Sequence, residues 1–297
     1  MNIILTGSLG NISKPIATKL ISKGHSVTII SSNTDKQKDI EKLGAKAAIG
    51  TMEDVTFLIK TFKNADAVYC METFGFFNPN FDYMQYISQV VHNYKQAIEQ
   101  SGIKKVIHLS SIGAHTSTGV GILQFHHLAE SILNQLSEDV VIKFIRPVGF
   151  YVNLLGQIAT IKTQSVIISN LESNNKEPWV SPQDIADVIA EEFDSPFDNR
   201  KIRYVASDEV SGNDIADALG KAIGKTDLKW ITVTDEQYLN GLLNFGMNPK
   251  IAADYVAMQS AQRDGSIYKD FNLHKPILGK VKITDFAKDF AIAYNQK

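Results

Sequence analysis

Two adjacent histidines, His126 and His127, stand in the stretch GILQFHHLAESIL, residues 121–133. An imidazole titrates at about 6.5, so either ring could move a proton, hold a ligand or simply cap a helix edge. Metal ligation is the weakest reading, because neighbouring helical side chains diverge by roughly 100° and cannot converge on one ion without outside ligands. Nor does the single cysteine, Cys70, offer a thiol pair, so no metal is expected. The helix presents Phe125, Leu128, Ala129, Ile132, Leu133 and Leu136 as its apolar face, with His126 and Glu130 on the neighbouring stripe. A structural His126–Glu130 contact, four residues apart, is therefore one reading. A His126 that works on a bound cofactor is the other, with His127 as a solvated or supporting residue.

A second constellation is TGSLGNISKP, where Gly7 and Gly10 fall between an apolar strand and a helical pattern. Such a turn lets the main chain approach a pyrophosphate and aims free helix amides at it. Ser13 stands where a third glycine is common, and is small enough to preserve close packing. The end of the next strand usually reports which dinucleotide is taken, since a carboxylate there accepts from the ribose hydroxyls and repels a 2′-phosphate. Here it reads Ser31-Ser32-Asn33-Thr34, with no carboxylate before Asp35 and with Lys36 and Lys38 beyond. This tilts the expectation to NADP, with NAD as the alternative. The four arginines all lie at or after Arg146, so none in this half can grip a phosphate with two points.

A third is ETFGFFNPNFDYMQY, which carries Phe74, Phe76, Phe77, Phe81, Tyr83 and Tyr86 just after the fourth strand. Rings at that end of a parallel sheet either stack on a flat aromatic ligand or pack the core. Phe150 and Tyr151, in GFYVNLL, follow the sixth strand and serve the same cleft or a hydrophobic hinge.

The elements that must position these groups alternate. Apolar strands at NIILTG, HSVTIISSN, AKAAIG, ADAVYCME, KKVIHLSS and VVIKFIRP are separated by helical patterns, which Gly24 and Gly44 end and Asp82 to Ser101 extends. Continuous apolar strands between helices signal a parallel sheet covered on both faces, and right-handed crossovers make it doubly wound. The expected fold is thus α/β, a Rossmann-type domain over residues 1–155 to which 180–207 return, with a smaller α/β lobe from 156–179 and 208–297. Ser181 and Pro182 open a well-marked helix, KIRYVAS reads as a strand, and three more helical patterns follow, two of them started by the capping-box stretches SGND and TDEQ.

Composition narrows the classes. Charged residues make up 21% and the formal net charge is −2, so no basic field draws nucleic acid or anionic lipid. The chain runs from Met1 straight into a strand, without a leader or a membrane-spanning stretch, and the expectation is a cytoplasmic protein.

With these residues in view, TGSLGNISKPIATKLISKGHSVTII, KKVIHLSSIGAH, IRPVGFYVNLL and VSPQDIADVI resemble the NmrA-like group of atypical short-chain dehydrogenases. That group holds NADP-sensing regulators as well as NAD(P)H-dependent quinone and triphenylmethane-dye reductases. The resemblance implies that Gly7, Ser8, Gly10, Asn11 and Ile12 line the pyrophosphate and that Ser31, Ser32 and Asn33 meet the adenosine ribose. It also sets Met52 near the adenine, Met71 and Glu72 beside a ribose, and Ser110 and Ser111 at the nicotinamide. Laid on Glu130, the superfamily's Tyr-x3-Lys pattern puts His126 where lysine stands and Ile122 where tyrosine stands. No tyrosine or lysine occurs from Gly113 to Glu138.

Without that pair, alcohol and ketone interconversion loses its acid and base. Conjugated acceptors need less help, since the arriving charge delocalises and positioning becomes the main requirement. The expectation is an NAD(P)H-dependent reductase of a quinone- or dye-like acceptor, with His126 and Ser111 as candidate catalytic residues and Phe74, Phe77, Phe150 and Tyr151 on the acceptor side. The alternative is a non-catalytic redox sensor that binds NADP and acts through a protein partner.

Overall fold

The computed structural model describes residues 1–296. Its strands are β1 (Asn2–Leu5), β2 (Ser26–Ser31), β3 (Lys46–Ile49), β4 (Ala67–Cys70), β5 (Lys105–Leu109), β6 (Val141–Pro147), β7 (Gly149–Phe150), β8 (Val166–Ser169), β9 (Lys176–Val180), β10 (Lys201–Val205), β11 (Asp208–Ser211) and β12 (Lys229–Thr232). The helices are α1 (Ser13–Ser22), α2 (Gln37–Lys42), α3 (Val55–Phe62), α4 (Tyr83–Ser101), α5 (Gln124–Leu133), α6 (Ile158–Gln164), α7 (Pro182–Asp194), α8 (Gly212–Ile223), α9 (Asp235–Asn244), α10 (Pro249–Arg263), α11 (Lys269–Leu273) and α12 (Ile283–Gln296). None is long and apolar enough to cross a membrane.

Seven strands form one parallel sheet in the order β10-β6-β5-β4-β1-β2-β3. Chain progress reverses between β1 and β4, and ligands of such sheets bind in the crevice beyond the carboxyl ends at that point. Strand alternation explains why both faces are apolar. In β4, Ala67 and Tyr69 join one core with Ile16, Leu20 and Ile189, while Val68 and Cys70 join the other with Tyr94, Ile132 and Ile142. The first core is roofed by α1 and α7, the second by α3, α4 and α5.

Local signals hold the helices in place. Asp82 accepts the Gln85 amide at the start of α4, and Gly102 ends it in the left-handed region at φ 77°. Ser181 accepts the Gln183 amide ahead of Pro182. Beyond β10 the structure has more elements than the three helical patterns of the sequence: α8 to α12, β11, which pairs antiparallel with β9, and β12, which pairs in parallel with β8. The five-residue α11 is too short to show a period, and β12 has a single buried residue, Trp230. A third core, built on Tyr151, Ile161, Leu219, Trp230, Phe286 and Phe290, holds this lobe.

Candidate functional site

Gly7 lies at φ 85°, where a side chain is strained, and a Cβ there would come within 2.5 Å of both Met71 Sδ and Ser13 Oγ. The main chain can therefore approach a ligand only as glycine. Gly10 donates its amide to the Gly7 carbonyl at 3.1 Å, closing the turn. Ser13 donates to the Thr6 carbonyl at 2.8 Å, so the residue in place of a third glycine ties helix to strand. The α1 N-cap, Ile12, offers no side-chain acceptor, and among the described residues the amides of Asn11 and Ile12 have none. Free amides at a helix start favour an anion, so this cradle fits a pyrophosphate.

The end of β2 differs from expectation in one residue. The Ser31 hydroxyl is spent inside the protein: it accepts from Ser8 Oγ at 2.9 Å and from the Asn33 amide at 3.2 Å. Ser31 is thus a brace between the turn and β2, and it helps to hold Ser8 in the left-handed conformation at φ 53°. Ser32 and Asn33 remain exposed, with Asn33 Oδ1 engaged by the Asp35 amide.

Tyr94, on α4 and not among the residues whose type or spacing marked a site, links Met52 and Met71. Its hydroxyl donates to the Met71 carbonyl at 2.7 Å and lies 2.9 Å from Met52 Sδ. Glu72 turns its side chain inward. Its carboxylate, fully enclosed, sits 3.0 and 3.1 Å from His108 Nε2 and is not presented to a ribose. Burial pushes the His108 imidazole down, but the Glu72 carboxylate outweighs it and the net direction is up.

At the end of β5 the two serines part. Ser110 donates to Glu130, which also takes a two-point bond from Arg146 at 2.9 and 2.6 Å. Arg146 extends the network to Tyr204 and Asp270. The expected His126–Glu130 contact is thus replaced, because a guanidinium in the adjacent strand satisfies both carboxylate oxygens better than a ring on the same helix. Ser111 keeps its hydroxyl free of any described partner. His126 is half-buried, its ring 3.9 Å from that of Phe125, and its enclosed Nδ1 has no partner. Burial, then the charges of His108 and Arg146, hold its pKa well below the ordinary imidazole range, so His126 is neutral at pH 7. His127 Nδ1 donates to the Ala114 carbonyl of the neighbouring loop at 3.0 Å. A carbonyl can only accept, so that nitrogen carries the proton.

The aromatic loop after β4 divides between core and surface. Phe74 stacks on Tyr83 at 5.2 Å and meets Phe125 edge-on at 5.4 Å, which joins the loop to the His126 helix. Phe77 is exposed and pairs with Phe245 at 5.9 Å. Asn248 fastens the loop: its side chain donates to the carbonyls of Asn78 and Pro79 at 2.7 and 3.1 Å, and its amide donates to Phe76. Phe150 is half-buried against the sheet core. Tyr151, expected at the cleft or in a hydrophobic hinge, is fully buried between Trp179 and Phe286. No group of three or more metal-ligating side chains converges among the described residues.

The sequence model of the NmrA-like family matches residues 1–286. The chain belongs to the NmrA-like family. Among solved structures it is similar to the triphenylmethane reductase of Citrobacter sp., with a TM-score of 0.80, 18% identity and coverage of 98% of this chain and 100% of that one. The NADPH-dependent quinone oxidoreductase of Escherichia coli, solved with NADPH, gives a TM-score of 0.79 at 15% identity over 97% and 99% of the two chains. The photosystem II assembly factor Ycf39 of Synechocystis is 24% identical over 197 residues, 66% of this NmrA-like chain and 60% of that relative. The match therefore spans less than two thirds of the length of Ycf39.

Proposed function

We propose that this chain is an NADP(H)-dependent reductase that delivers hydride to a conjugated, quinone- or dye-like small molecule. The observation that carries the reading is the pair of free amides, Asn11 and Ile12, in the Gly7–Ile12 turn, together with a helix, α5, that has neither tyrosine nor lysine and holds a neutral histidine. Similar folds solved with NADP(H) or NADPH support the choice of nucleotide, as does the absence of a carboxylate at Ser31-Ser32-Asn33. Gly7, Ser8, Gly10, Asn11 and Ile12 would hold the pyrophosphate, with Ser32 and Asn33 at the ribose phosphate. Met52 and Met71 would border the adenine and ribose. Ser111 and His126 would stand at the nicotinamide, and Phe74, Phe77 and Phe150 on the acceptor side.

Bound NADPH supplies the hydride. The protein's part is to hold nicotinamide and acceptor face to face and to keep water at the rim. A neutral His126 gives one N–H bond to an oxygen on which charge develops. It does not hand over a full proton, so the proton that completes reduction of a quinone comes from water after the charge has spread over the ring.

A second reading, a nucleotide-binding sensor acting through a partner, is favoured by the missing Tyr-x3-Lys relay and by the similarity to an assembly factor. Parallel fluorescence titrations with NADPH and NADH, followed by NADPH oxidation across a panel of quinones and cationic dyes, separate them. Tight NADPH binding with acceptor-dependent turnover supports the reductase; binding with no turnover over the whole panel leaves the sensor.

A further inference from the structure

The lobe helix α10 crosses directly over the start of α5. Gly121, in the turn just ahead of α5, lies at φ 53°, and a Cβ there would strike the Asp254 carbonyl and the Met258 amide. Main chain meets main chain here, and only glycine permits it. The side chains of α10 consequently reach the wall that carries the acceptor-side rings. Asp254 accepts from the Tyr83 hydroxyl at 2.8 Å, and Tyr255 and Met258 pack against the same core as Phe74 and Phe125. The Phe125 ring in turn lies 3.9 Å from that of His126.

Three polar groups of α9 and α10 are left incompletely bonded. Tyr238 and Tyr255 are half-buried, and among the described residues neither hydroxyl finds an acceptor, although neither is sealed in as those of Tyr69 and Tyr151 are. Gln259, one turn beyond Tyr255, is 5% exposed, and its enclosed Oε1 has no donor. The three face one another. Burial pushes the Tyr238 phenol up while the Gln259 amide opposes it, and burial followed by Tyr238 pushes the Tyr255 phenol up, so both phenols keep their protons at neutral pH. An enclosed oxygen without a donor is costly to a folded chain, and a ligand N–H or O–H would remove that cost. No free carboxylate joins the group. Asp254, the one acid of α10, is taken by Tyr83 and Lys250, Asp235 of α9 by Arg263 at 2.7 Å, and Glu236 is exposed.

We infer that Tyr238, Tyr255 and Gln259 form a neutral subsite that selects, among conjugated acceptors, a quinone carrying a hydroxyl or amino group beside its carbonyl. The ligand's O–H or N–H would meet Gln259 Oε1, and a phenol would donate to the neighbouring carbonyl oxygen. A cationic dye gains no counter-charge from such a set. The inference rests on the reductase reading, and it narrows the acceptor to one chemical class.

Calorimetry on the full chain saturated with NADP⁺ tests it without turnover, using menadione and the analogue in which an amino group replaces its methyl. The amino compound should bind roughly tenfold more tightly. Gln259→Leu and Tyr255→Phe should each remove that margin and leave the affinities for menadione and NADP⁺ unchanged. Because Gln259 Oε1 is unmet in the folded chain, Gln259→Leu should keep or raise the thermal midpoint, the opposite of what a structural amide would give. The same preference should appear in KM when NADPH oxidation is followed. Selective binding with no turnover of either compound supports the subsite and ends the reductase reading. Equal affinities, binding of neither compound, or variants that weaken both compounds alike overturn the subsite, while turnover of menadione would still uphold the reductase. A Gln259→Leu chain that melts lower and keeps the wild-type preference also overturns it.

Discussion

An added methyl at Gly7 would strike Met71 Sδ and Ser13 Oγ in a left-handed backbone, so Gly7→Ala is expected to cost about 1–3 kcal/mol of stability. It should also abolish NADPH-dependent fluorescence changes at concentrations that saturate wild type. The same glycine was readable in the sequence, because only glycine suits that turn; the role of Ser31 was not, since its partner Ser8 lies 23 positions away. His126 makes a pH prediction. Its pKa is lowered, so the ring releases its proton well below pH 6.5 and stays neutral through the physiological range. Acceptor reduction should therefore show no loss of kcat as pH rises from about 6 to 8. A fall in kcat as pH rises through about 6.5 that disappears in His126→Ala would contradict this.

The loop after β4 and the helix α10 are joined by one side chain. Asn248 is buried, caps α10 by accepting the amides of Lys250 and Ile251, and donates to the loop carbonyls. Asn248→Ala should cost about 1–2 kcal/mol through the lost cap. It should also speed hydrogen exchange over residues 76–82 and raise KM for acceptors more than it lowers kcat. The cluster of phenylalanines announced this loop, and the capping residue did not, because a lone Asn-Pro reads equally as a turn. On the sheet itself, β6 carries two cations, Lys143 and Arg146, among apolar residues, the signal that buried ion pairs were coming. Arg146→Ala leaves Glu130 buried and unpaired and should destabilise by about 3–5 kcal/mol in urea unfolding.

Across the molecule, two carboxylates set opposite pH limits on stability. Burial of Glu192 would raise its pKa, but hydrogen bonds from Lys201, Arg203, Lys143 and Ser195 outweigh it and bring the value to about 2. The stabilisation is complete above the unfolded value of 4.5 and is lost as pH falls from there through about 2. Glu177, on β9 and bonded by the Tyr268 hydroxyl, goes the other way: burial raises it to about 7. Its folded form prefers the proton, so stability declines as pH rises from about 4.5 to about 7. Glu177→Gln should flatten that decline in thermal melts and leave the acid limb unchanged. A variant with the wild-type slope between those pH values would remove Glu177 as its origin.

The alternation of apolar strands with helices, the glycine turn and the absence of a tyrosine and lysine on α5 were all present in local order, because each depends on residues a few positions apart. They were enough for the doubly wound sheet and the cradle. Long-range partners decided the rest: Arg146 took Glu130 from His126, His108 took Glu72 from the cleft, and the lobe core enclosed Tyr151. A side chain's surroundings are set by elements distant in sequence, and burial and ion pairing there are stronger than any preference the neighbouring residues express.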